Sequence, residues 1–246
     1  MVTSIRHWSM ACGFIQESTG GGYVPTALAT HVFERLDPYC EHPATTWLLH
    51  WKLAGMGAKS TTWWWLFNCI PQQTFDRNLV FDSLKNFCAH AHHDVSDSTL
   101  SRDIDVCLSS YVSRAHKGSI EDVAEPVLAE LPLIQSHNNA AGTLSFRRGP
   151  KATLPNALFA YAVIEFWKAR GGPSVLSFDK ITHDYGSPGR VFKLDEDSVG
   201  ERVLALERLT KGAVVWSDSS GIRQLNRMSE KFADDLLDKL LEASYV

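Results

Sequence analysis

The chain has 246 residues, enough for one large domain or two to three small ones, and its 44% hydrophobic and 21% charged content is ordinary for a globular protein. No stretch approaches the roughly 18 consecutive apolar residues of a membrane helix, the start MVTSIRHWSMACGFIQE lacks the ordered segments of a secretory signal, and the five cysteines form no CxxC pair, which together predict a soluble, cytoplasmic protein. The formal net charge of -4 has the wrong sign for holding nucleic acid by overall electrostatics, so any such binding must be local.

In chain order, Val2, Ile5, Trp8, Cys12 and Ile15 follow a helical period with Arg6 and His7 off the stripe, and the helix is predicted to end near Gly13. ESTGGGYVPTALATHVF reads as a glycine-rich tip, a short strand at Tyr23 and Val24, and a helix opened by Pro25 and Thr26. This order resembles the back half of a winged helix-turn-helix. TTWLLHWKLAGMGAKSTTWWWLFN holds five of the eight tryptophans; Trp47 and Trp51, and Trp64 and Phe67, present helical stripes that fit a core better than a base-stacking surface. DRNLVFDSLKNFCAH spaces Leu79, Val80, Leu84, Phe87 and Cys88 as a helix capped near Thr74 or Asp76. After the turn DVSDS, a second stripe (Leu100, Ile104, Cys107, Leu108, Tyr111) begins behind Asp97 or Ser98 as cap, making a helix-turn-helix candidate.

TLSFRRGPK predicts a strand entering a Gly-Pro turn, LPNALFAYAVIEFWKAR a strongly apolar helix ending at Gly171 and Gly172, LSFDKI the opening of another helix, and GSPG a tight turn. LDEDSVGERVLALERLT reads as one helix capped by Asp195, and AVVWSDSSGIRQLNR as a hairpin with a DSSG tip and with Arg223 and Arg227 on one face of its second strand. The fold class is mainly α with small β elements in winged helix-turn-helix-like units. The expected division is a partial winged-helix-like unit over 1-36, a central helical domain over 37-142 and a winged-helix-like domain with the basic strand-turn over 143-246.

Chemistry concentrates in two places. AHAHHDVSDSTLSRDIDV puts His90, His93 and Asp94 at a spacing that suits a transition metal, but histidines at a helix C-terminus also answer its dipole. Asp103 and Asp105 point about 200° apart on a helix and cannot grip one ion together. Between 144 and 170, five cations stand against one acid, whereas the stretch from 228 is net acidic. Arg147, Arg148 and Lys151 of FRRGPK, with Arg190 and Lys193 of SPGRVFK and with Arg6, are the residues expected to contact DNA phosphates. A solvated turn with surface salt bridges is the competing account of FRRGPK. No GxSxG, GxGxxG or Walker loop is present, and the GGG at 20-22 is read as a turn.

MVTSIRHW, DPYCEHPATTWLLHWKLA with TTWWWLFN, STLSRDIDVCLSSYV, LSFRRGPKATLPNALFAYA, and GSPGRVFKLDED with GIRQL, in this order, resemble the SspB family over nearly the whole chain. That family is the DNA-nicking component of bacterial Ssp DNA phosphorothioation systems, in which sulfur replaces a non-bridging phosphate oxygen. The resemblance implies nicking of one DNA strand with a divalent metal ion, Mg²⁺ or Mn²⁺, in anti-phage defence. It also implies a cysteine desulfurase, an ATPase and a PAPS-reductase-like enzyme as partners, no membrane, and further residues ahead of the MVTSIRHW segment. Asp103, Asp105, Asp195 and Glu196 lie in the matched motifs as candidate metal ligands, each with a capping or salt-bridge alternative; His90, His92, His93 and Asp94 lie outside them. Catalytic residues stay unassigned and a homodimer stays open. A non-catalytic DNA-binding scaffold and a winged-helix transcriptional regulator are the other readings.

Overall fold

The computed structural model describes residues 2-56, 59-112, 125-137 and 142-246. Helix α1 (Val2–Ala11) stops at Gly13, and the chain forms a hairpin of β1 (Ile15–Glu17) and β2 (Tyr23–Pro25) closed by the glycine tip. Ile15 therefore belongs to a strand and not to the helical stripe expected for it. Thr26 caps α2 (Ala27–His31) by accepting the Ala29 N–H at 3.2 Å, and the helix runs on into a π-helical turn over Val32–Leu36.

α3 (Pro43–Trp51) starts with proline at a first-turn position, where its missing N–H costs nothing, and ends in a second π-helical turn, Lys52–Met56. α4 (Thr61–Cys69) follows. Trp47, Leu48, Trp51, Leu66 and Phe67 are fully enclosed, so the aromatic block is core, as its spacing predicts. Trp64 is the exception: it shares no buried face with Phe67 and stays partly exposed.

After β3 (Thr74–Phe75), Asp76 accepts the Leu79 N–H at 2.8 Å and caps α5 (Arg77–His90), as predicted. α6 (Asp97–Tyr111) packs against α5 and buries Leu100, Ile104, Cys107 and Tyr111, but its cap is Ser96, one residue ahead of those expected, with Oγ accepting the Thr99 N–H at 3.2 Å. A 3₁₀ turn over Val127–Glu130 leads to β4 (Ile134–Ser136) and β5 (Leu144–Phe146). β5 is the middle strand of an antiparallel sheet in the order β3-β5-β4, so pairing runs across the expected boundary at 142/143.

α7 (Asn156–Ala169) is apolar on nearly every side and buried from Ala157 to Ile164, as expected of a helix with no polar face. β6 (Val175–Ser177) then enters α8 (Phe178–His183), α9 (Pro188–Val191), α10 (Glu196–Val203) and α11 (Leu206–Leu209). Two expectations change here. GSPG is the start of a helix, with Ser187 capping α9, and the helix expected from Asp195 onward is broken into α10 and α11 at Leu204 and Ala205. β7 (Val214–Ser219) and β8 (Ile222–Arg227) form the predicted hairpin, its two-residue tip Ser220-Gly221 having φ +54° and +79° as a type I′ turn requires. β6 joins the far edge of β8, and α12 (Leu236–Glu242) packs on α7 before a final 3₁₀ turn, Ala243–Tyr245. One cluster of buried side chains runs from Cys12 to Leu241. The architecture is mainly helical with small antiparallel sheets, the class read from sequence.

Candidate nucleic-acid interface

β5 ends at Phe146, so Arg147 and Arg148 lie just beyond the strand, in the loop that follows. Four bonds shape that loop. The Arg147 N–H donates to Leu133 O at 2.9 Å, the Gly149 N–H donates to Lys193 O at 3.1 Å, and the Lys151 ammonium donates to Arg147 O at 2.8 Å and Gly149 O at 3.0 Å. Gly149 has φ +113°, a conformation closed to side-chain-bearing residues, and a Cβ there would lie 3.5 Å from Asp195 Oδ2. Arg202 ties the far end by donating to Lys151 O at 2.8 Å and Leu154 O at 2.9 Å.

The second loop is equally built. Gly189 packs so closely on α8 that a Cβ would fall 2.7 Å from Thr182 Cα, so only glycine lets α9 sit here. Arg190 donates to His183 O at 2.8 Å and lies 4.6 Å from the Tyr185 ring centre. Lys193 has φ +53° and is 1% exposed; its ammonium donates to Phe67 O at the C-terminal end of α4 at 2.6 Å and sits 3.9 Å from the Phe146 ring centre. A left-handed lysine costs about 1 kcal/mol or more in backbone strain, and burying its ammonium costs further.

Of the six residues expected to meet phosphate, the structure thus brings five together. Arg147 and Arg148 are exposed, and among the described residues neither guanidinium has a hydrogen-bond or ion-pair partner. Arg190 is half-buried, and Lys151 (2% exposed) and Lys193 are internal, so these two lysines shape the site and act on it through space, and do not present an ammonium at the surface. Arg6 sits elsewhere, on α1, with its guanidinium 5.2 Å from the Tyr23 ring centre of the first hairpin.

The electrostatics register this crowding. Loss of water and then Arg190 hold Arg148 below its ordinary value. Burial, then Arg147, bring Lys151 down to about 8, with Asp195 opposing. Burial, then Arg148 and Arg190, push Lys193 well down. Cations that depress one another make a standing positive potential, which an anion relieves. Asp195, which opposes the depression of Lys151, is held below its ordinary value by the Ser198 hydroxyl and N–H that it caps.

Of the other acids singled out in the sequence, Asp105 and Glu196 have cationic partners. Both Asp105 oxygens take the Arg77 guanidinium, at 2.5 and 3.0 Å. Glu196 lies 3.3 Å from His183 and 3.7 Å from Arg223, which also stacks on Phe178. Asp103 lines a cleft of about 490 Å³ between α1, α4 and α6 together with His7, Lys59 and Arg102; burial raises its pKa against the pull of His7 and Arg102. His90 bonds the Asn86 carbonyl of its own helix at 2.7 Å, and His93 lines a neighbouring cleft with Asp103. Among the described residues, no three His, Cys, Asp or Glu side chains gather where they could hold a metal ion. Magnesium takes one or two carboxylates plus waters and substrate phosphates. The acids near the arginines do not fit a preformed site, because Asp195 is spent on a helix cap beside an ammonium.

Two positioning residues escape a reading of periodicity. Asn68 donates to Ala54 O and Trp64 O, each at 2.9 Å, and accepts the Gly186 N–H at 2.6 Å, anchoring the turn ahead of α9. His50 is fully buried and its pKa falls to about 3, chiefly through burial. It is neutral, so its Nε2–H donates to Val191 O at 2.9 Å and its Nδ1 accepts from the Tyr111 hydroxyl at 2.7 Å, joining α3, α6 and α9. In both cases the available signal was one polar side chain set among large apolar neighbours.

The family model described as a protein of unknown function (DUF4007) matches residues 1–245. Two solved structures share the fold over 100% of this chain and 75% of theirs, at 23% sequence identity and a TM-score of 0.85: an SspB crystal structure and a magnesium ion-bound SspB crystal structure. The likeness read from the sequence motifs therefore holds at the level of the fold. The search of curated proteins finds no match.

Proposed function

From a chain that belongs to the DUF4007 family, we propose a DNA-binding component of a bacterial DNA phosphorothioation and anti-phage defence system, gripping the sugar-phosphate backbone with Arg147, Arg148 and Arg190. The observation that carries this reading is the pair of exposed, unpartnered guanidinium groups inside a cluster of like charge. Two exposed guanidinium groups left free beside other cations are available to pair with phosphate oxygens. The fold shared with SspB supports the pathway, in which the component works in the cytoplasm beside a cysteine desulfurase, an ATPase and a PAPS-reductase-like enzyme. No helix among the described residues is long and apolar enough to cross a membrane. In this reading α1 with its hairpin, and the C-terminal helices with theirs, serve as winged-helix-like units, and Arg6 is a secondary contact.

Fluorescence anisotropy with a labelled duplex tests it. Arg147→Ala combined with Arg148→Ala lowers affinity about tenfold or more and flattens the slope of log K against log salt by roughly two contacts' worth. An unchanged slope removes the loop from the interface.

A second reading, nicking of one strand with a divalent metal, is favoured by the magnesium ion-bound neighbour. Supercoiled plasmid turning to open circles with Mg²⁺ and not with a chelator supports it; a plasmid left closed under both conditions leaves the non-catalytic scaffold.

A further inference from the structure

Tyr185 stands in the turn between α8 and α9 with 58% of its surface exposed. Single exposed aromatics are common and need no explanation. This one is held in place. The Arg170 guanidinium donates to the Tyr185 carbonyl at 2.9 Å, the Ser187 N–H donates to Asp184 O at 3.0 Å, and the Gly186 N–H is fastened to Asn68 at 2.6 Å. The ring is therefore presented from a backbone pinned on both sides. Arg190 lies 4.6 Å from its centre, and the Trp64 ring centre is 6.2 Å away at a tilt of 38°. Trp64 is itself partly exposed, and among the described residues its Nε1–H donates to nothing.

We infer that Tyr185, with Trp64 beside it, is a stacking platform for an unpaired nucleobase. The surface then takes single-stranded DNA, or a duplex that already carries an unpaired base, and not a fully paired duplex; this rests on the phosphate-binding reading above. Inside a duplex both faces of a base are covered by its neighbours, so a protein ring finds a free face only on an unpaired or extruded base. The charge around the platform fits the same ligand. Arg190 touches the ring and lies close enough to Arg148 to act on its charge, while the nearby carboxylate of Asp184 is taken up by Arg170 at 3.5 Å. A base resting on Tyr185 would bring its own phosphate toward those arginines.

The test compares a short single strand with a fully paired duplex of the same sequence by anisotropy, using the full chain. A 2-aminopurine in the single strand reports stacking through its fluorescence. Tyr185→Ala lowers single-strand affinity about tenfold and abolishes the 2-aminopurine quenching while duplex affinity holds, and Tyr185→Phe keeps both near wild type. An equal loss on single strand and duplex overturns the inference, since Tyr185 would then act only by placing Arg190. Unchanged binding to both overturns it too, leaving the ring to a protein contact or to bare surface. If wild type binds neither DNA, the phosphate reading falls and this one with it. A loss with Arg147→Ala and Arg148→Ala but none with Tyr185→Ala removes the platform alone.

Discussion

The loops at 147–151 and 187–195 and the helix pair α5–α6 both carry dense charge, and the fold treats them in opposite ways. In the helix pair, several acids and a histidine are absorbed by local needs: Asp76 caps α5, Arg77 holds Asp105, Lys85 lies 2.7 Å from Asp97, and His90 bonds its own helix. In the loops, cations are gathered beside one another, and among the described residues Arg147 and Arg148 have no partner of opposite charge. A cluster of reactive side-chain types is thus a weak sign of function when each member has a neighbour of the opposite kind. Uncompensated like charge is the stronger one, because folding alone gives no reason to assemble it.

The two regions meet at His50, and breaking that link should have the largest effect on the molecule. His50→Leu keeps the volume but strands the Tyr111 hydroxyl and the Val191 carbonyl in a dry interior. Each orphaned group costs about 1–3 kcal/mol, so unfolding free energy should fall by about 3 kcal/mol and the melting temperature by roughly 6–12 °C. Thermal denaturation measures this, and a shift under a few degrees would mean that the polar bridge is not holding the two regions together. Next in size is the double arginine substitution. Its sharper form is a contrast: Arg77→Ala, which removes an arginine from the helix pair, should leave DNA affinity and its salt slope where they were.

How far these regions were legible from sequence follows from the range of the forces that make them. α7, the Asp76 cap and the Ser220-Gly221 hairpin depend on residues within a few positions of one another, and periodicity or turn chemistry exposed them. β5 was visible as a strand, but its partner β3 is two residues long and lies some seventy positions away, too short and too distant to leave a pattern. The same holds inside the candidate site. FRRGPK and SPGRVFK were visible as basic elements. That Lys193 turns inward depends on a carbonyl of α4, and that the two loops join depends on the Gly149 to Lys193 bond. Tyr185 gave no signal at all, because exposure is decided by what packs nearby and not by its own sequence neighbours.

Asp195 separates the roles of charge within the basic region. Removing it as Asp195→Ala deletes the α10 cap and should cost about 1 kcal/mol. It also deletes the carboxylate that opposes the cations, so DNA affinity should hold or rise while stability falls. Simultaneous loss of both would argue that the cap sets the geometry of Gly149 and the arginines. The pH dependence has a definite sign. Asp195 is held below its ordinary value of 3.8, so the folded state favours the charged form. The cap's contribution is fully present at pH 5 and above and is lost as pH falls through the lowered value, so wild type and Asp195→Ala should converge in acid.

The smallest effect belongs to the stretch with the most suggestive composition. His90→Ala with His93→Ala removes two histidines that lie at the end of α5, one bonded to its own helix and the other lining an open cleft. Neither is placed to meet a second and third metal ligand among the described residues. The double variant should lie within about 0.5 kcal/mol of wild type in stability, the range of surface substitutions. Its DNA affinity, and any Mg²⁺-dependent opening of supercoiled plasmid, should match the parent. Should plasmid opening vanish while the melting temperature holds, the comparison would invert: the histidines would be chemical after all, with their missing ligands brought by DNA, and the arginine loops would serve only to deliver the backbone to them.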